Sequence, residues 1–187
     1  MVTSLIILGI VVVLAIMIAS MYNSLVRLRN NRENAFADID VQLKQRHDLV
    51  PQLVETVKGY AGHEKETFER VISARNGAIN AKTIDEKIVA ENTLSSALSG
   101  FKITLEAYPD LKANQNFLQL QEEVSDIENK LSSVRRYFNS ATKELNNAVQ
   151  SFPSNLLAGM FGFHKEMMFD LGVDQRASLD QAPNIKF

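Results

Sequence analysis

The chain has 187 residues, 45% hydrophobic and 7% aromatic, with 20 basic against 22 acidic side chains, a formal charge of −2 and no cysteine. Length suggests one domain, and the near-neutral balance argues against a dedicated nucleic-acid binder. Without cysteine there is no disulfide framework, thiolate nucleophile, cysteine-ligated zinc or lipid-modified cysteine.

Residues 2–26, VTSLIILGIVVVLAIMIASMYNSLV, carry no charge. A helix needs about 20 apolar residues to cross a hydrocarbon core, and Leu5 to Met21 is almost wholly aliphatic. A cleaved signal peptide would need a basic n-region and a small-x-small site. The run lacks both, so it reads as a retained anchor. Arg27, Arg29 and Arg32 follow at once and no Lys or Arg precedes. The positive-inside rule then puts the amino terminus outside and the body in the cytoplasm, as a single-pass protein of the cell (inner) membrane.

Beyond the anchor, Phe36, Ile39, Leu43, Val50, Leu53 and Val57 recur at helical spacing, with Arg46 in the missing slot. This predicts a helix unbroken to about Lys58, with Pro51 as its one defect. Gly59 and Gly62 supply the turn. Two shorter amphipathic segments follow over 64–82 and 84–107, with a weak break at Thr83-Ile84-Asp85. After Pro109-Asp110, a seam from Phe117 through Leu131, Phe138 and Leu145 to Phe152 alternates spacings of three and four until Pro153. The expected fold is all-α: an amino-terminal transmembrane helix continuing into an up-and-down antiparallel four-helix bundle. The expected organisation is anchor 1–26, bundle 27–152, an apolar Phe/Met-rich segment 153–172 and an extended or poorly ordered tail 173–187.

Arg46-His47-Asp48 and His63-Glu64 supply side chains that active sites use. Successive residues on a helix point about 100° apart, so they do not converge on one target. The zincin pattern H-E-x-x-H fails after His63-Glu64, and a zinc site needs at least three ligands. Arg46 instead calls for an acid on a facing helix. His47 or Asp48 can bond backbone groups freed by Pro51, while His63 and Glu64 can cap the next helix. These five residues are therefore structural candidates, with no catalytic, cofactor or metal site and no small-molecule substrate expected. Glu106 to Asp110 reads as a helix-to-helix corner, and Asn114 and Asn116 as ordinary solvent-facing residues near a helix start. Leu157, Met160, Phe161, Phe163 and Met167 are candidates for an adaptable contact surface, or for a cap folded back on the bundle.

The runs YNSLVRLRN, DIDVQLKQRHDLVPQLVETVKGYAGHE, EAYPDLKANQNFLQLQEEVSDIENKL and FPSNLLAGMFGF resemble the LemA family, and the likeness extends to the closing APNIKF. Ala35-Phe36-Ala37 stands where an alanine-tryptophan-serine run is common. The resemblance implies a small bacterial or archaeal membrane protein with one amino-terminal spanning helix, an extracellular amino terminus and a four-helix-bundle body. It implies no agreed biochemical activity, and some relatives, including those in magnetosome-forming bacteria, act in membrane organisation. The sequence is thus read as a self-assembling scaffold contacting lipid and further copies of itself. The alternatives are an adaptor for a membrane protease or signalling protein and, least favoured, a metal-dependent enzyme.

Overall fold

The structure, a computed structural model, describes residues 1–61, 64–105 and 108–169. Among them are six helices and no strand: α1 (Val2–Lys58), α2 (Lys65–Asn80), α3 (Ile84–Leu105), α4 (Pro109–Lys112), α5 (Gln115–Gln150) and α6 (Ser154–Met160). The expected all-α architecture is present. The tail 173–187, His63, Gly62, Glu106 and Ala107 lie outside the described residues. The helices form two compact units, the first from Met1–Val41 and Ser132–Met168, the second from Gln42–Leu131 with Phe169.

The second unit is a four-helix arrangement built by apolar seams. Val50, Leu53 and Val57 of α1 are buried with Phe68 and Val71 of α2, Ala97 and Phe101 of α3, and Phe117 of α5. The contacts give the directions. Arg75 of α2 reaches back to the level of His47, Phe68 meets Phe101 of α3 with ring centroids 5.9 Å apart, and Asn114, just before α5, bonds Tyr60, just after α1. Each helix therefore runs opposite to its chain neighbour, the up-and-down order that short connections favour.

The first unit holds the apolar beginning of α1, the second half of α5, and the chain that follows. Phe138 packs edge-on against Phe36, centroids 5.6 Å apart, while Ala148 and Val149 pack beside Leu25 and Val26. The two helices are therefore antiparallel. After α6 the chain turns back along them. Asn146 donates to the Glu166 carbonyl at 2.9 Å and accepts its N–H at 2.8 Å. Buried Arg32 meets the Glu166 carboxylate at 3.2 Å and donates to the Met167 carbonyl at 3.3 Å.

Three local features differ from the sequence reading. The break before α3 is a reciprocal capping box: Thr83 Oγ1 accepts the Glu86 N–H, and the Glu86 carboxylate accepts the N–H groups of Lys82 and Thr83. Pro109 opens only the single turn α4; the long helix starts at Asn114, whose Oδ1 accepts the Phe117 N–H at 3.1 Å. The seam's last position fails, because α5 ends at Gln150 and Phe152 is almost wholly exposed.

The backbone donors of Lys82 and Thr83 favour the ionised Glu86 carboxylate and hold its pKa below the usual value. A pKa lower in the folded than in the unfolded chain adds stability above the unfolded value, and that stability is lost as pH falls through the folded one. Glu86→Gln should therefore remove part of the acid-side loss of stability and leave the alkaline side flat. Unfolding midpoints measured across pH for both chains check this.

Candidate functional site

A group of buried charged side chains lies toward one end of the second unit, the end farther from the turn after α1. Arg46 is 2% exposed and Glu91 wholly buried. Arg46 Nη1 donates to Glu91 Oε2 at 3.2 Å, and Nη2 donates to Ser95 Oγ at 2.9 Å. Nε lies 3.1 Å from Glu128 Oε1 on α5, an ion pair by distance in which the N–H points off the acceptor line. The other Glu91 oxygen takes the His47 imidazole at 2.6 Å, so Nε2 of His47 carries the donated hydrogen. Pro51 has no N–H for the carbonyl four residues back, that of His47. Arg75 fills this vacancy, its Nε donating to the His47 carbonyl at 2.6 Å.

The five sequence candidates do not form one site. Arg46 and His47 converge on Glu91, whereas Asp48 is exposed and gives only its carbonyl, to Gln52. The carbonyl freed by Pro51 is satisfied by Arg75 rather than by the side chain of His47 or Asp48. Glu64 stands at the N-cap of α2 without a side-chain cap bond and accepts the Tyr108 hydroxyl at 3.3 Å. Desolvation, then the Glu64 charge and this bond, push the Tyr108 hydroxyl pKa up. Glu91 and Glu128 were missed. Glu91 occupies a seam slot of α3 between Ile88 and Leu94, the complement of Arg46 in α1, and that pattern is readable in the sequence. No group of three or more potential metal ligands occurs among the described residues.

The second candidate is an apolar surface in the first unit. Residues 2–20 are exposed throughout, and α1 is long and apolar enough there to cross a membrane. The carboxyl-terminal candidates divide. Phe163 is 6% exposed and buried with Leu25 and Ala158, so it is not free for a partner. Phe161 is 46% exposed, Met160 and Met167 are exposed, and Leu157 is half-buried. The divide is made by Gly162 at φ 73°, a conformation glycine adopts without strain. The Phe163 N–H reaches the Ala158 carbonyl at 2.9 Å and the Gly162 N–H the Gly159 carbonyl at 3.5 Å, the paired bonds of a Schellman ending. The Phe161 ring lies edge-on to Tyr22, centroids 4.9 Å apart, and shares an open apolar cleft with Ala15, Ile18, Ala19 and Tyr22.

An all-α body bearing a helix fit to cross a membrane, with its buried charges paired internally, defines a membrane-linked helical-bundle protein. The chain belongs to the LemA family, whose model matches residues 35–187. It is 25% identical over 160 aligned residues to Protein LemA of Metamycoplasma hominis, covering 84% of this chain and 73% of the relative. It is 20% identical over 174 residues to Magnetosome protein MamQ of Magnetospirillum gryphiswaldense, covering 79% of this chain and 64% of the relative. The chain thus spans less than two thirds of MamQ, and neither relative's name denotes a catalytic activity.

Two outcomes follow for the full-length chain in detergent, read from denaturant midpoints. Glu91→Ala strands the buried Arg46 charge and should cost roughly 3–5 kcal/mol, against about 0.5 kcal/mol or less for exposed Asp48→Ala. Phe163→Ala should cost about 3 kcal/mol or more, and Phe161→Ala about 1 kcal/mol.

Proposed function

We propose that this protein is a non-catalytic, single-pass membrane scaffold that assembles with further copies of itself, its helical body on the cytoplasmic side. The observation that carries this reading is the continuity of α1. Its exposed apolar turns pass without a loop into turns whose Leu25, Arg32 and Phe36 are buried in the first unit. A body joined to its anchor by an unbroken helix is held at the bilayer, whereas a flexible linker would let it wander. Exposed Arg27 and Arg29 just after the apolar run support the cytoplasmic orientation.

Two observations favour interaction over chemistry. The titratable groups closest to an active-site pattern, His47 and Glu91, are buried on one another and on Arg46. Large apolar side chains outside the anchor and α6, among them Val41, Ile79, Val89 and Leu118, are left exposed by their own unit. Similarity to a relative named as a magnetosome protein agrees with a structural role. Size exclusion with light scattering in detergent tests the assembly. A uniform multiple of 20.9 kDa is expected; a monomer at all concentrations overturns self-assembly and leaves an adaptor for a different membrane protein as the reading to pursue.

A further inference from the structure

The chain from Phe152 to Phe161 is unlike the rest of the body. Residues 145–163 contain no Asp, Glu, Lys or Arg, in a chain where these make up 22%. α6 has two apolar faces. Ala158 is buried against Leu25 and Phe163, while Leu156 and Met160, one turn apart, project outward and are mostly exposed, as is Phe152 just before the helix. A short helix that only capped the unit would show polar residues on its outer face. Phe161 then lies over Ala15, Ile18, Ala19 and Tyr22, inside the last turns of the apolar stretch. Ala15 precedes Tyr22 by about 10 Å along the helix axis at 1.5 Å per residue. The Phe161 ring therefore sits at a depth that hydrocarbon would occupy if α1 crosses the bilayer.

We propose that Phe152 and α6, with Leu156, Met160 and Phe161, form a second membrane element, seated in the boundary between headgroups and acyl chains of the bilayer that α1 crosses. The inference rests on the anchored reading of α1. The occupant is lipid because the exposed face is continuous with the apolar surface of the anchor through Phe161 and Tyr22. Aromatic side chains at this position suit the interface, where the ring is apolar and its surroundings half-wet. Exposed charge returns where the segment leaves that surface, with Arg27 on α1 and Lys165 beyond Phe163, both fit to reach headgroup phosphates. The Phe/Met-rich surface is then held by lipid, and contacts between copies fall on other faces.

The chain has no cysteine, so single cysteines can be placed without a background. Full-length protein carrying Met160→Cys, Val12→Cys or Val89→Cys, each labelled with nitrobenzoxadiazole, is reconstituted into phosphatidylcholine vesicles containing phosphatidylglycerol. Each probe is then challenged with a mixture of lipids spin-labelled high on the acyl chain and near its end, and with aqueous iodide. The label at 160 is expected to be quenched by the spin-labelled lipid and shielded from iodide, as at 12, while the label at 89 responds to iodide alone. A label at 160 that follows the one at 89 overturns the proposal and leaves the anchor standing. A label at 160 shielded from both quenchers also overturns it, assigning the surface to a second copy. If the label at 12 escapes the spin-labelled lipid, the anchored reading falls and this inference with it.

Discussion

A guanidinium cannot be taken out of water without a counter-charge, and Arg46 sets this condition inside the second unit. Its side chain is met from α3 by Glu91 and Ser95 and from α5 by Glu128. The neighbouring His47 shares Glu91, and the carbonyl that Pro51 leaves without a donor is satisfied by Arg75 from α2. All four helices are thereby tied at one level. Sliding any of them by one turn, about 5.4 Å, would leave a buried charge or carbonyl without its partner. Apolar seams alone tolerate such slips, since one leucine replaces another at little cost. The cluster is therefore better understood as fixing register than as adding net stability, because desolvation offsets most of the attraction within a buried pair. It also explains why Arg46 and Glu91 have no open face: their charges are spent on one another and, for Glu91, on His47.

What the sequence disclosed follows from what period and charge can encode. The buried line Phe36, Ile39, Leu43, Arg46, Val50 and Val57 was legible because one-sided burial imposes a helical repeat. So was the requirement that Arg46 meet an acid. Its partner was legible in principle, since Glu91 interrupts the α3 seam as Arg46 interrupts that of α1, but a one-helix period does not say which helix faces which. The capping box at Thr83 and Glu86 was written as T-x-x-E and read only as a weak break. Asn114 looked like a solvent-facing amide because an N-cap differs from an ordinary polar residue only once the helix start is known. Pro109 was a misleading signal, favourable at a first helical position yet opening a single turn.

The carboxyl-terminal segment was least legible, for a physical reason. Hydrophobicity says that a side chain avoids water but not whether it goes to protein or to lipid. Phe161 and Phe163 are the same residue two positions apart, and composition treats them alike. Gly162 separates them: its positive φ ends α6 and sends the chain back along the first unit, with Phe163 against Leu25 and Phe161 left beside Tyr22. Asn146 and Arg32 then hold the returning segment by its Glu166 and Met167 backbone, contacts that join residues far apart in sequence.

The first unit accordingly has two contrasting parts. From Leu25 toward Phe36, α1 has protein on its inner side; before Leu25, residues 2–20 are all exposed, and Phe161 is the side chain that reaches over their last turns at Ala15, Ile18 and Ala19. In water an apolar surface of that extent would drive association or collapse, since soluble monomers rarely expose more than a few hundred Å² of contiguous apolar surface. The proposed complement is the bilayer interior, and α6 meets the edge of that surface instead of covering it. A longer α6 could have wrapped the start of α1, but Gly162 stops it after two turns, and Tyr22 and Phe161 mark where the protein-covered part of α1 gives way to the more exposed part. The same short segment thus helps close the core of the first unit and leaves the apolar start of α1 uncovered along most of its length, as the proposed membrane anchoring requires.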